Sequence, residues 1–329
     1  MATKSKATLH DVAVAAKVSI ATASKALNGL TVSAANKVRV LKAAEKLGYV
    51  VNDTARALRS NRSHTIGLIF SELSSTRGIG LLDSMSATLE TAGYSLICAT
   101  ARADAAAYDR LMRRFLERRV DGIFCVSPPD ELPSVQRYQS AGIPIVVVTE
   151  RSKALASLPL IHPSINAATA ASMKDVLGCG HRRVLSIDDG LQKYSLDTLD
   201  TRLRDVISIE LRSLLDVGAL DDLVRTTLLQ KERPTLISAF QPQAEAILFA
   251  CRASGVKVPG DFSLIALTHV GNEKRAADLG LSSILFRPEL LGAEAATQML
   301  FALDGKKVAK NISVEVGGWT RRRSVGPVG

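Results

Sequence analysis

The chain has 329 residues, 47% of them hydrophobic, which gives room for two or three domains and at least one substantial core. No apolar run approaches the length of a membrane span, and no apolar h-region follows the N-terminal lysines. The four cysteines (Cys98, Cys125, Cys179, Cys251) lie far apart with no CxxC, which speaks against a disulfide framework or a zinc site and for buried thiols in a reducing cytoplasm.

The net charge of +10 is unevenly placed. Residues 1–64 hold 11 Lys/Arg against 3 Asp/Glu, a net of +8, and the remaining 265 hold 31 against 29, a net of +2. A positive field confined to one end points to a polyanionic partner, a nucleic acid or an anionic membrane surface.

That basic end is patterned. "TLHDVAVAAKVSIATASKALNG" (8–29) resolves into two short helices with one sharp turn. Thr8 and Asp11 have the spacing of a capping box, with Asp where Glu or Gln is more usual. Val12, Ala13 and Ala16 share one face of the first helix, Ser19 caps the second, and Ala23, Ala26 and Leu27 form its inner face, with Val18 in the corner. Small residues at Ala13 and Ala23 allow the close crossing that a helix-turn-helix needs. "VSAANKVRVLKAAEKLGY" (32–49) gives a third helix with Val38, Leu41, Ala44 and Leu47 at helical spacing and Gly48 placed to end it. The outer face of the second helix carries Thr22, Ser24, Lys25 and Asn28, with Ile20 and Ala21 on its first turn. In a helix-turn-helix that turn meets base edges in the major groove, where apolar groups contact thymine methyls. "NDTARALRS" (52–60) reads as a two-turn helix, marginal by itself, with Arg56 and Arg59 on one face and Ala55 and Leu58 on another.

From Thr65 the pattern becomes strand–helix alternation. Strand-like runs occur at 65–70, 94–100, 122–127, 143–149, 183–188, 235–240 and 262–267, separated by helical stretches at 81–92, 105–118, 165–177, 243–254 and 288–303. This spacing means a parallel sheet with both faces covered. Enzyme signatures fail. "GIGLLD" (78–83) lacks the third glycine of a dinucleotide fingerprint, and there is no P-loop, GxSxG or HExxH. Asp188 and Asp189 are adjacent at a strand end and point apart. Cys179 and His181 in "GCGH" supply too few ligands for a closed metal site. No enzyme activity, metal or cofactor is expected.

The run from "TLHDVAVAAKVSIATASKALNG" through "VSAANKVRVLKAAEKLGYVVN", "ARALRS" and "TIGLIF" resembles the lactose/galactose-repressor (LacI/GalR) family of bacterial transcription regulators. "GCGHRRVLSID", the stretch 253–265 and the closing "RRRSVG" extend the likeness more loosely over the rest. The resemblance implies an all-α helix-turn-helix headpiece at 1–50, a hinge helix and linker at 51–64, and a periplasmic-binding-protein-like α/β core at 65–329. That core would comprise two Rossmann-like subdomains, about 65–161 with 288–316 and about 162–287 with 317–329, around an effector cleft.

It also implies roles. Residues matching Ile20, Ala21 and Lys25 read bases in that family, and those matching Thr8, Ser19, Thr22, Ser24, Asn28, Ser33 and Tyr49 mostly hold phosphates. The hinge (Ala55, Arg56, Leu58, Arg59) folds when two copies pair over a DNA site, with the leucine wedged into the minor groove. A homodimer on an approximately palindromic operator follows, and no heptad tail suggests a tetramer. Two departures stand out. Lys17 occupies a turn position where the backbone tends to be left-handed, and Val51 replaces a common proline.

In the cleft, Arg202 matches a ligand-gripping arginine, but Thr268 stands where an aspartate is common and Gln241 lies near another aspartate position. Thr149 and Glu150 follow the "VV" strand, Arg77 sits where an aromatic often stacks on ligand, and the region between Arg202 and Pro234 looks short by a strand. Two readings stay open: an anionic, sugar-derived or less hydroxylated metabolite held by Arg77 and Arg202, or a DNA-binding regulator or architectural protein whose pocket is degenerate and binds no small ligand.

Overall fold

The computed structural model describes residues 7–27, 30–49, 62–71, 76–102, 104–149, 155, 157–188, 208–213, 235–269 and 271–327, with backbone alone at 76–77, 186, 188, 208–213 and 240. The chain divides into two compact units, Met1–Ser63 and His64–Gly329.

The first unit holds α1 (Leu9–Ala16), α2 (Ile20–Leu27) and α3 (Ala34–Leu47). The capping box is present in full: Thr8 Oγ1 accepts from the Asp11 amide (3.3 Å), and Asp11 Oδ2 accepts from the Thr8 amide (2.8 Å). The Thr8 amide, and then its hydroxyl, lower the Asp11 pKa by bonding to the charged carboxylate. Lys17 ends α1 in the left-handed region (φ 54°, ψ 49°), its amide bonded to Ala13 and Val14 carbonyls. A side chain there clashes with its own backbone, and glycine does not. Lys17→Gly should therefore stabilise this unit by about 1 kcal/mol in a urea titration followed by circular dichroism; an unchanged or lower midpoint would show that the turn carries no such cost.

The core of this unit is built almost wholly from small side chains, with Val12, Ala13, Ala16, Ala23, Ala26, Val40, Ala43 and Ala44 buried. Leu9, Val18, Leu27, Val32 and Tyr49 pack around them. On α3 the sequence expectation needs correcting. The buried stripe is Val40, Ala43 and Ala44, while Val38 (65% exposed), Leu41 and Leu47 face outward. Alanines at 43 and 44 let α3 approach α1 and α2 closely, and that close approach selects the stripe over the one with larger side chains.

The described residues of the second unit form two six-stranded sheets. In the first, β1 (Thr65–Phe70), β2 (Ser95–Thr100), β3 (Gly122–Val126), β4 (Ile145–Val148), β5 (Leu160–Ser164) and β11 (Asn311–Glu315) stand in the order β11-β5-β4-β3-β1-β2, all parallel. Helices α4 (Thr76–Thr91), α5 (Ala105–Glu117), α6 (Val135–Ser140) and α10 (Pro288–Leu303) accompany it. In the second, β6 (Arg183–Asp188), β7 (Ser208–Ser213), β8 (Leu236–Phe240), β9 (Ser263–His269), β10 (Ser282–Phe286) and β12 (Gly317–Thr320) run β12-β10-β9-β8-β6-β7, with only β12 antiparallel. Among the described residues its helices are α7 (Asn166–Gly178), α8 (Gln241–Ala253) and α9 (Glu273–Leu279).

Each sheet is covered on both faces, which is why inner strands such as β1, β3 and β4 read as continuous apolar runs. Ile66, Leu68, Phe70 and Phe124 pack on one side with Met85, Leu291 and Met299, and Ile69, Ile123 and Cys125 pack on the other with Tyr108, Met112 and Tyr138. Burial pushes the Cys125 thiol up to about 12 and the Cys251 thiol up to about 11. Cys98 departs from the expectation of buried thiols: it is exposed, because β2 is the outer strand of its sheet.

Three crossovers join the sheets: β5 into α7, β10 into α10, and β11 into β12. They are stitched side by side, with the Val316 amide donating to Ser164 O (2.7 Å) and the Arg287 amide to Val316 O (2.8 Å). All three leave the carboxyl ends of their strands, so the carboxyl edges of the two sheets face each other, the usual place for a ligand in open α/β sheets.

Candidate functional site

On the first unit, α2 presents the residues singled out for DNA. Ser19 is the cap: the Thr22 amide donates to its Oγ (3.1 Å), and the two hydroxyls are 2.9 Å apart. With Ala23 and Ala26 buried against α1 and α3, the opposite arc exposes Ile20 (50%), Ala21 and Lys25 together, with Thr22 and Ser24 half-buried beside them. Thr8 is exposed at the start of α1, Ser33 caps α3 through the Asn36 amide (3.4 Å), and Tyr49 packs against the small core. Asn28 and the hinge residues Ala55, Arg56, Leu58 and Arg59 lie outside the described residues. An apolar pair and a lysine on one helix arc, in a unit of net +8, suit a groove with a negative rim.

The facing sheet edges hold the described cleft candidates. Thr149 is half-buried just past β4. Thr268 and Gln241, at the ends of β9 and β8, are only 1% and 3% exposed. They satisfy each other: the Thr268 hydroxyl donates to Gln241 Oε1. Gln241 Nε2 in turn donates to Glu245 Oε1 (2.9 Å) and the Asn272 carbonyl (3.2 Å), and Glu245 takes the Arg275 guanidinium at 2.6 Å. Where carboxylates were expected to be missing, the structure has a closed amide–hydroxyl–carboxylate network. Sequence reasoning did not foresee it, because all of its bonds except the Gln241–Glu245 pair join residues 27 to 31 positions apart. It also adds an aromatic pair at the same edge, His269 edge-on to Phe286 at 5.8 Å. Ser71 completes the opposite edge, donating its hydroxyl to the Ser127 carbonyl. Glu150 and Arg202 lie outside the described residues, as does the Arg77 side chain. A strand, β7, does occupy part of the stretch between Arg202 and Pro234.

His181 and Cys179 are structural. His181 is 1% exposed, with Nδ1 at 2.9 Å from Thr235 Oγ1 and Nε2 at 2.9 Å from the Gly326 carbonyl. The carbonyl can only accept, so Nε2 carries the proton and Nδ1 accepts from the threonine. Arg321 donates to Cys179 Sγ at 3.1 Å. Burial lowers the His181 pKa most; the Gly326 bond raises it, and Arg182 lowers it further. Below the ordinary histidine pKa the unfolded chain binds this proton and the folded chain does not. The stability contributed by neutral His181 is thus complete above that pKa and is lost as pH falls through the lowered one. Unfolding free energy should decline from pH 7 to pH 5, and His181→Gln should flatten the decline; equal slopes for the two proteins would contradict this.

A basic unit whose described residues form three helices, and a second unit of two sheets with facing carboxyl edges, define a helix-turn-helix regulator with a periplasmic-binding-protein-like core. Residues 8–52 match the family of bacterial regulatory proteins, lacI family. Residues 63–194 match the periplasmic binding proteins and sugar binding domain of the LacI family, and residues 191–325 a periplasmic binding protein-like domain. The chain belongs to the LacI family of DNA-binding transcriptional regulators.

It is 27% identical over 322 residues to the HTH-type transcriptional regulator GntR of Pseudomonas aeruginosa, covering 93% of this chain and 92% of that one. It is 31% identical over 188 residues to the maltose regulon regulatory protein MalI of Escherichia coli, covering 56% and 54%. In fold it is similar to the lac repressor dimer bound to operator and an anti-inducer (TM-score 0.81, 20% identity, 97% and 99% of the two chains). A transcriptional regulator CelR–cellobiose complex is also similar in fold (TM-score 0.62, 21% identity, 97% and 100%). No helix among the described residues is long and apolar enough to cross a membrane.

Proposed function

We propose that the protein is a homodimeric, sequence-specific repressor. Two heads occupy the halves of an approximately palindromic operator, and a small metabolite between the facing sheet edges changes the spacing of the two hinges. The observation that carries the DNA reading is the exposed arc of Ile20, Ala21 and Lys25 on a helix whose other face is locked by alanines. Those three residues read bases, while Thr8, Ser19, Thr22, Ser24, Asn28, Ser33 and Tyr49 hold phosphates and set the register. The solved relative in complex with operator is a dimer, which supports the same assembly here. Coupling between metabolite and operator is reciprocal, whichever sign it has.

For the effector, a relative solved with cellobiose supports a sugar-derived ligand. Arg77, Arg202, Thr149 and Glu150 are the residues proposed to hold it, and two arginines suit an acidic or phosphorylated one. The network of Thr268, Gln241, Glu245 and Arg275 favours the second reading, in which the cleft holds no small ligand, since it spends on itself groups that would meet hydroxyls.

Base reading and phosphate holding separate by mutation. Lys25→Ala should change which sequence is preferred. Arg59 is a hinge cation proposed to lie near the minor-groove walls and phosphates, so Arg59→Ala should weaken all sequences alike and reduce the salt slope by about one unit. Binding profiles over a sequence library at two salt concentrations decide the matter, and identical behaviour of the two variants would reject the division of roles.

A further inference from the structure

The chain enters the core at His64, and the structure holds that residue unusually firmly. Its backbone is left-handed (φ 52°), a conformation that residues other than glycine avoid. Its amide donates to Asp121 Oδ2 at 2.8 Å, and its carbonyl accepts from the Ser95 amide at 2.9 Å. Its ring lies against Tyr94, with centroids 5.2 Å apart. Asp121 is itself fixed, donating its amide to the Thr65 carbonyl at 2.8 Å. The next residues form β1, an interior strand paired on both sides. This joint sits at the amino edge of the parallel sheet, whereas the cleft candidates sit at its carboxyl edge.

We propose that Asp121 and His64 are positioning residues for operator binding: the Asp121 carboxylate clamps the His64 amide and so fixes the direction in which residues 62–63 leave the core. The inference rests on the dimeric DNA-binding reading given above. Two tethered heads gain affinity from effective concentration only while their tethers hold them near the spacing of the two half-sites, and a slack tether dilutes that gain. Any movement of this sheet reaches the linker through the same joint. The kinked backbone at His64 is held in place by its neighbours, as backbone outliers at switch points are.

The test uses the full-length protein, a full site recovered from a random duplex pool, and a half-site duplex with the second half scrambled. Wild type should bind the full site at least roughly 100-fold more tightly than the half-site. Asp121→Ala should lose about tenfold or more of the full-site affinity and none of the half-site affinity. Asp121→Asn, whose amide oxygen still accepts from His64, should stay within about threefold of wild type. His64→Gly should lose full-site affinity without lowering the thermal midpoint of the core, because it removes the ring contact while relieving the backbone. If wild type shows no gain of full over half site, the dimeric reading falls and the joint's role falls with it. If wild type discriminates and Asp121→Ala discriminates equally, or Asp121→Asn is as weak as Asp121→Ala, the clamp alone is overturned.

Discussion

Leu58→Ala should weaken binding to the full operator by roughly 100-fold, about 3 kcal/mol, while leaving the dimer intact. In the sequence, 52–60 reads as a two-turn helix with two arginines on one face and a single large apolar side chain on another, too short to persist alone. A leucine in such a segment needs an apolar site that only a partner supplies. In the proposed dimer, two copies meeting over the centre of a palindrome would provide one, between unstacked base pairs and against each other. On that proposal, truncation to alanine removes most of the wedge, and the duplex should no longer be held kinked. Fluorescence anisotropy on a labelled operator measures the loss, and sedimentation confirms the dimer. A DNA-bending assay should show a straighter duplex in the residual complex. Unchanged affinity would remove Leu58 from the interface and leave the segment a plain linker.

Gly292→Val should destabilise the core by about 3 kcal/mol. Gly292 lies in α10 where it crosses α4, and a Cβ built on it falls against the Leu81 carbonyl oxygen and Ser84 Oγ. A flexible side-chain end would move aside, but a helical carbonyl cannot without shifting its whole turn. The serine hydroxyl is also committed, donating to that same carbonyl at 3.1 Å. Gly80 mirrors the arrangement from the α4 side, where a Cβ would strike the Pro288 ring. The two helices must separate to admit a valine, which would lift Leu291, Ala295 and Met299 away from β1 and β3. Urea denaturation followed by the single tryptophan, Trp319, together with far-ultraviolet dichroism, reads the loss. A midpoint equal to that of wild type would mean that the crossing is looser than described.

Much of this architecture was legible in the sequence where a local pattern carried it. The Thr8–Asp11 cap and the run at 65–70 each depend on residues within a few positions of one another, while the left-handed turn at Lys17 was legible only through the family resemblance. What escaped depended on distant partners. Strand β10 begins Ser282-Ser283, which reads as loop. Both serines are buried: the Ser282 hydroxyl donates to the Arg322 carbonyl (3.0 Å), and Arg322 reaches Ser283 Oγ (2.8 Å). Strand β5, "LIHPS", hides behind a histidine and a proline, and β11 alternates polar and apolar on a sheet edge. On α3 two stripes compete at helical spacing, and only the close packing of alanines decides between them. The candidate cleft shows the same limit. Thr268 and Gln241 were recognisable one by one as replacements for aspartates, yet their pairing is visible only once β9 and α8 are brought together.

The claim on which the rest depends is sequence-specific recognition by a dimer. Selection of bound duplexes from a random pool by the full-length protein, at fixed near-physiological salt, tests it most directly. The expected result is a palindrome with a flexible pyrimidine–purine step at its centre, its two halves spaced for heads on a two-fold axis. Weak, salt-sensitive retention of DNA with no recovered motif would contradict it.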